Sequence, residues 1–83
     1  MFIVVNRWDS DYVSNMSLVG KYITLEDAKI AMKEAVNNFM GQYTYKVDFL
    51  LDTYSDDEIN CSVDIEDTDI KTPVSVHWGI LEV

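Results

Sequence analysis

The sequence predicts one α+β domain, in which an antiparallel sheet of about five strands carries a single helix packed on one face. Three observations lead to this fold class. The 83 residues suit a single domain covering residues 1–83. One stretch, residues 25–40, has apolar side chains at helical spacing, whereas five other stretches alternate in the manner of strands. The resulting element order is β-β-α-β-β-β, and the 48% hydrophobic content is sufficient for a packed core.

The helix predicted over residues 25–40 has the clearest boundaries. Thr24 is a suitable N-cap, and Asp27 stands at the third helical position as a variant of the capping box. Gly41 is well placed to end the helix. Ile30 falls opposite the apolar stripe and is predicted to be exposed among polar side chains. The stripe predicted to face the sheet consists of Leu25, Ala28, Met32, Ala35, Val36 and Phe39.

The first two strands are predicted to form a hairpin. Residues 2–8 are apolar on both sides of the alternation, which is typical of a strand inside a sheet. Residues 9–15 contain loop-forming Asp, Ser and Asn, and residues 16–22 alternate as a second strand. That alternation predicts four side chains on one side of the strand: Met16, Leu18, Gly20 and Tyr22.

Three more strands follow the helix. Residues 43–51 give the cleanest period-two run of the chain. Residues 52–58 are predicted to form an acidic turn, and residues 59–66 a fourth strand whose outer side is polar and negative. Residues 67–73 are predicted to be a loop before the last strand, residues 74–80.

The acidic residues are concentrated in one part of the chain, residues 48–69. This acidic segment holds nine of the fifteen Asp and Glu residues and contains no Lys, Arg or His. The rest of the chain has six acidic and six basic residues, so the formal charge of −9 arises in the acidic segment. Its apolar residues still alternate, which predicts a folded acidic surface. The nine residues are Asp48, Asp52, Asp56, Asp57, Glu58, Asp64, Glu66, Asp67 and Asp69.

Charge and cysteine content narrow the classes of partner and compartment. A sequence pI near 4.1 argues against direct binding to nucleic acid or to an anionic membrane, because both need Lys and Arg. The expected partner is a basic protein surface. Cys61 is the single cysteine, which excludes an internal disulfide and suits a reducing compartment. With no leader-like apolar run at the start, we expect a cytoplasmic protein.

The candidate catalytic groups are few. His77 is the single imidazole, and it is able to pair with Ser75, Cys61 or an Asp, but no nucleophile motif surrounds any of them. His77 is therefore interpreted as a strand residue on the polar face, and Cys61 as a core residue. We expect no enzymatic activity and no cofactor.

Metal binding is supported only weakly by the sequence. Residues 52–58 and 9–13 both depart from the EF-hand pattern, and one Cys with one His is too few ligands for zinc. Weak calcium binding by the clustered carboxylates stays open as an alternative.

Three interpretations of the acidic segment remain. It is a solubilising surface, or it binds a basic partner, or it belongs to a regulatory domain that self-associates through a face carrying Tyr43, Tyr45 or Trp8. Segregated charge favours partner binding, since packing like charges together costs stability. A monomer or a weak homodimer is expected. The predicted partner-binding residues are Asp52, Asp56, Asp57, Glu58, Asp64, Glu66, Asp67 and Asp69, with Ile30 as an apolar anchor.

Taken together, these features resemble those of small acidic inhibitor proteins encoded by phages and other mobile elements. Anti-CRISPR proteins are the best-known such group, and several act as nucleic-acid mimics. The resemblance is one of class: a short chain, strong negative charge, an α+β architecture and no catalytic set. It implies that the target is the nucleic-acid channel of an RNA-guided nuclease, where Arg and Lys bind phosphates and bases.

Overall fold

The structure is a computed structural model that describes residues 1–9, 14–42, 49–66 and 74–83. These residues form an α+β fold with a five-stranded antiparallel sheet in the order β2-β1-β5-β4-β3 and one helix on one of its faces. The elements are β1 (Phe2–Asp9), β2 (Ser14–Tyr22), α1 (Leu25–Gly41), β3 (Phe49–Tyr54), β4 (Asn60–Glu66) and β5 (Val74–Glu82). The predicted fold class is confirmed.

The order of the sheet places β5 at its centre. β1 pairs with both β2 and β5, which confirms the predicted first hairpin and the interior position of the first strand. β4 pairs with both β5 and β3. Two hairpins, β1–β2 and β3–β4, are therefore joined through the last strand of the chain.

The helix begins and ends close to the predicted residues. Thr24 is extended, with φ −114° and ψ 152°, and its hydroxyl accepts a hydrogen bond of 3.2 Å from the Asp27 backbone N–H. The predicted N-cap is confirmed. The helix continues one residue past the predicted end, to Gly41, and the Gln42 N–H then donates to the Phe39 carbonyl at 3.2 Å.

The core lies between α1 and the sheet. Ala28, Met32 and Val36 are fully buried on the helix. The ring of Phe39 lies between Trp8 and Trp78, with ring centroids 5.6 and 5.2 Å away in edge-on arrangements. Such aromatic pairs contribute about 0.5–1.5 kcal/mol each beyond the burial of their surface. The sheet contributes the buried side chains Val4, Cys61, Val63, Ile65, Val76, Trp78 and Ile80.

The other face of the sheet, here called the open face, has no helix against it among the described residues. Because side chains alternate along a strand and paired residues share a face, the strand registers assign each residue to a side. β4 shows the alternation directly, since Cys61, Val63 and Ile65 are buried and the residues between them are not. The open face carries Ile3, Val5, Arg7, Met16, Leu18, Lys21, Leu51, Thr53, Asn60, Ser62, Asp64, Glu66, Ser75, His77 and Leu81.

The predicted alternation of β2 is wrong in part, because this strand contains a bulge. Val5 lies opposite Leu18 but Val4 lies opposite Gly20, so Val19 is an extra residue in the ladder. An extra residue reverses the side to which the following side chains point. Leu18 consequently shares a side with Val5 on the open face, whereas Gly20 and Tyr22 lie on the helix side with Val4.

The predicted acidic turn is shorter than the sequence suggested. β3 continues through Tyr54, so Asp52 lies in the strand opposite Val63, and the turn covers only the residues between Ser55 and Asn60. The turn is shorter because β3 and β4 stay paired beyond Asp52, the first acidic residue of the predicted turn. β4 begins at Asn60, one residue later than predicted. The predicted first loop is also shorter, since β1 reaches Asp9 and β2 begins at Ser14. The predictions for residues 10–13, 43–48 and 67–73 lie outside the described residues.

Candidate functional site

The candidate site is built on the β3–β4 hairpin, residues 49–66, which we call the acidic hairpin. Its turn is closed by a hydrogen bond of 2.9 Å from the Ser55 N–H to the Asn60 carbonyl, and the Glu58 N–H donates to the Ser55 carbonyl at 3.0 Å. The Ser55 hydroxyl donates to Asp57 at 2.7 Å, and the same carboxylate accepts from the Ile59 N–H at 3.4 Å. Polar side chains thus hold the turn in one conformation.

Glu58 has the left-handed backbone conformation, with φ 60°. This region is unfavourable for residues other than Gly, Asn and Asp, and it occurs where the surroundings specify it. The turn hydrogen bonds on either side of Glu58 supply that constraint. The Glu58 side chain is directed to the helix, where it forms a salt bridge with Lys33.

Two of the turn carboxylates, Asp57 and Glu58, are held in their ionised form. The hydrogen bond from Ser55 is the main cause that lowers the pKa of Asp57, and the hydrogen bond and charge of Lys33 lower the pKa of Glu58. Lys29 lowers both further by its charge. Both carboxyl groups are therefore negatively charged at neutral pH.

A cleft of about 400 Å³ separates the acidic hairpin from α1. Asp52 reaches it because Asp52 lies opposite buried Val63 and so projects from the helix side of β3. We call this space the acidic cleft. Its lining residues are Lys33, Asn37, Asp52, Tyr54, Ser55, Asp56 and Glu58. Three carboxylates and one lysine give the lining a formal charge of −2.

Tyr54 reports the electrostatics of the cleft wall. Burial, the neighbouring Cys61, and the charges of Asp52 and Glu58 raise the pKa of Tyr54 to about 12. Burial is likewise the main cause that raises the pKa of the Cys61 thiol. Cys61 is 2% exposed, so its prediction as a core residue is confirmed.

The predicted site residues fall into two groups on opposite faces of the sheet. Asp52, Asp56 and Glu58 line the acidic cleft, and Asp57 lies in the turn beside them. Ile30 is 56% exposed, as predicted, and stands three residues before Lys33, which makes the two neighbours on the helix surface.

The second group consists of Asp64 and Glu66, both exposed on the open face. Glu66 is six residues beyond the start of β4, which corresponds to roughly 20 Å along the strand. Strand alternation and the length of β4 therefore separate these two carboxylates from those of the acidic cleft. Asp67 and Asp69 lie outside the described residues.

Ser62 belongs to a side-chain network with His77 that was not predicted from the sequence. Ser62 Oγ lies 2.8 Å from His77 Nδ1, and Ser75 Oγ lies 3.2 Å from His77 Nε2. Ser75 also donates to Asp64 at 3.2 Å. Since a hydroxyl has one proton and Ser75 donates it to Asp64, Ser75 accepts from Nε2–H, and in the neutral imidazole Nδ1 then accepts from Ser62. The signal that finds this network is the β4–β5 register, in which Ser62 is opposite His77 and Asp64 opposite Ser75.

Two further properties concern metals and membranes. In the part of the chain that the structure describes, no three His, Cys, Asp or Glu residues are grouped closely enough to hold a metal ion. Among the same residues, no helix has the length and apolarity needed to cross a membrane.

The fold and the site define a small α+β protein with an acidic hairpin at one edge of its sheet. Comparisons of the chain with family models, with curated proteins and with solved structures found no match.

Proposed function

We propose that the protein is a non-enzymatic binding protein that presents its acidic hairpin to a basic site on a larger protein. The observation that supports this proposal is the composition of the hairpin. Residues 49–66 carry six acidic residues and no Lys, Arg or His, and a structured turn holds three of the six. A charge that served solubility alone would be as effective if it were dispersed over the surface.

The acidic cleft is the part of the site best shaped for a specific contact. Its carboxylates surround a space large enough for an Arg or Lys side chain from the partner. A guanidinium bound there forms charge-assisted hydrogen bonds, which are roughly twice as strong as neutral ones. Ile30 beside Lys33 supplies an apolar contact at the rim, where binding sites commonly place such an anchor.

A protein that normally binds nucleic acid is the partner class that fits this chemistry. Its Arg and Lys residues are arranged for phosphates, and carboxylates on a rigid turn compete for the same groups. The protein then acts as an inhibitor by occupying the site. An RNA-guided nuclease is one member of this partner class. Association is accelerated by the opposite charges and weakens as salt is added.

The experiment measures binding of an oligo-arginine peptide by fluorescence anisotropy at low and high salt. The double variant Asp52→Lys/Asp56→Lys reverses two carboxylates of the acidic cleft. We expect it to raise the dissociation constant by at least about tenfold at low salt. The matched control is Glu26→Lys/Glu34→Lys, which makes the same charge change at two exposed positions of α1.

Equal losses of affinity in the cleft variant and the control would show that only net charge matters, and the acidic cleft would not be the site. A second double variant, Asp64→Lys/Glu66→Lys, measures the contribution of the open-face carboxylates separately. The proposed inhibition is tested in a competition assay, in which this protein is added to a basic nucleic-acid-binding protein bound to labelled DNA. The wild-type protein is expected to displace the DNA, and the cleft variant to do so more weakly.

A further inference from the structure

The open face exposes several large apolar side chains to solvent. Four large hydrophobic side chains on it are roughly half or more exposed: Met16 (69%), Leu18 (53%), Leu51 (48%) and Leu81 (53%). Ile3 and Val5, on the same face, are only half-buried. Met16 and Leu18 adjoin Val5 and Ile3 of β1 and Leu81 of β5, and these five form one patch. Leu51 lies apart from it on β3, beyond Asp64 and Ser75. Contiguous exposed apolar patches mark interaction surfaces.

The described part of the open face carries few charged residues, and they are of both signs, although the chain as a whole carries −9. Its described ionic side chains are Arg7 and Lys21 on the β1–β2 side and Asp64 and Glu66 on β4. With Asp9, whose position opposite Ser75 places it in the same row, these five residues have a formal charge of −1. A second copy of this acidic chain therefore meets less repulsion at the open face than at the acidic hairpin.

On β5, the central strand of the open face, the exposed side chain of Leu81 lies beside a hollow at Gly79. Gly79 has no side chain, and a Cβ atom there would lie 3.3 Å from Asn60 Oδ1. A depression of about 290 Å³ lies above it, lined by residues that include Val5, Met16, His77 and Leu81. Leu81 is the exposed side chain beside this hollow, and its place on the central strand allows a twofold axis along β5 to bring two copies of it together.

We propose that the open face is covered by the open face of a second copy of this chain. A twofold axis parallel to β5, between two sheets stacked about 10 Å apart, places β1 of each copy over β4 of the other. Arg7, on β1 of one copy, then lies over β4 of the other copy, the strand that carries Asp64. Leu81 of each copy lies near the axis and faces Leu81 of the other copy. The acidic clefts stay exposed on the two outer sides, so the dimer does not depend on the proposed function.

The size of the open face sets the strength of the dimer. Five strands at the usual spacing and about seven residues in length give roughly 500–600 Å² of projected area. A standard stable interface buries about 800 Å² on each partner. The dimer is accordingly weak and concentration-dependent. Added salt strengthens it by screening the repulsion between two acidic chains, which is opposite to the salt effect on binding a basic partner.

The test is sedimentation velocity on the full chain over a wide range of concentrations and at two salt concentrations. Wild-type protein is expected to shift from monomer to dimer, and Leu81→Lys to raise the dissociation constant at least about tenfold. The control is Ile30→Lys, because Ile30 is exposed to 56% against 53% for Leu81 but lies on the helix. Both variants reduce the net negative charge equally, so a difference between them reports the surface involved.

A charge-reversal pair tests the orientation of the two copies. Arg7→Glu and Asp64→Arg are each expected to weaken the dimer, and the combined variant to restore it. Asp64→Arg is the more informative single change, because it makes the net charge less negative. If the dimer were limited only by charge repulsion, this variant would strengthen the dimer rather than weaken it.

Two results would overturn the proposal. One is a protein that stays monomeric at every concentration and at high salt. The other is a dimer that Leu81→Lys weakens no more than Ile30→Lys does, which would place the interface elsewhere, for example at a sheet edge. Circular dichroism of each variant verifies that the fold is unchanged.

Discussion

The two hairpins of the sheet are alike in architecture and differ in charge. Each is an antiparallel pair with one edge strand, and each pairs with β5 through its inner strand. Residues 2–22 contain two basic and two acidic residues and have no net formal charge. The acidic hairpin carries −6 over residues 49–66.

The exposed apolar residues are also distributed unequally. β2 exposes Met16, Leu18 and Val19, whereas β3 exposes only Leu51 among its described large hydrophobic side chains. One half of the sheet is therefore suited to contact with an uncharged surface and the other to contact with a basic one. Four predictions follow from this difference, the first on the core that the halves share and the others on the acidic hairpin.

The largest expected effect concerns the shared core. Val4 and Val63 are both fully buried, one in each hairpin. Truncating either to Ala is expected to lower the free energy of unfolding by about 1–3 kcal/mol, because a buried cavity is left. Denaturant titration with two spectroscopic probes measures it. A single transition with equal losses indicates that β5 couples the hairpins into one cooperative unit. An early transition in Val63→Ala alone would mean that the acidic hairpin unfolds separately.

An intermediate effect is expected at the acidic turn. Ser55→Ala removes the hydrogen bonds from its hydroxyl to Asp57 and from the Asn60 N–H to that hydroxyl, and should cost about 1 kcal/mol. Ser17→Ala, at an exposed position of β2, is the matched control and should cost less than about 0.5 kcal/mol. Equal costs would show that the turn network contributes nothing to stability.

The same substitution has a consequence for pH dependence. The wild-type pKa of Asp57 is lowered, so its contribution is present above the ordinary carboxyl pKa and is lost as pH falls through the lowered one. In Ser55→Ala that pKa should rise toward its ordinary value. A carboxyl-carbon NMR titration measures the shift.

The smallest effect is expected at alkaline pH and concerns Tyr54, which lines the acidic cleft. The pKa of Tyr54 is raised from 10.0 to about 12, so folding favours its neutral phenol. The corresponding stability is fully present below pH 10 and is lost as pH rises toward 12. Phenolate absorbance should show one tyrosine titrating late, and Tyr54→Phe should remove that step. If the late step persisted in Tyr54→Phe, the assignment to Tyr54 would be wrong.

Local patterns in the sequence determined the elements of this protein and the location of its charge. The Thr24 cap, the apolar stripe of α1 and the interior position of β1 follow from side-chain spacing over a few residues, where chemistry and geometry are set by the neighbours in the chain. The concentration of acidic residues is likewise visible in the sequence alone.

Only the tertiary structure decided which faces the charged groups share. Asp52 enters the acidic cleft because β3 pairs with β4 in one particular register, and Asp64 is directed to the other face by the same rule. Ser62 and His77 meet because β5 lies beside β4, and Val19 reverses part of β2 by one extra residue. Pairing between distant segments is set by the packing of the whole core, which short-range periodicity does not encode.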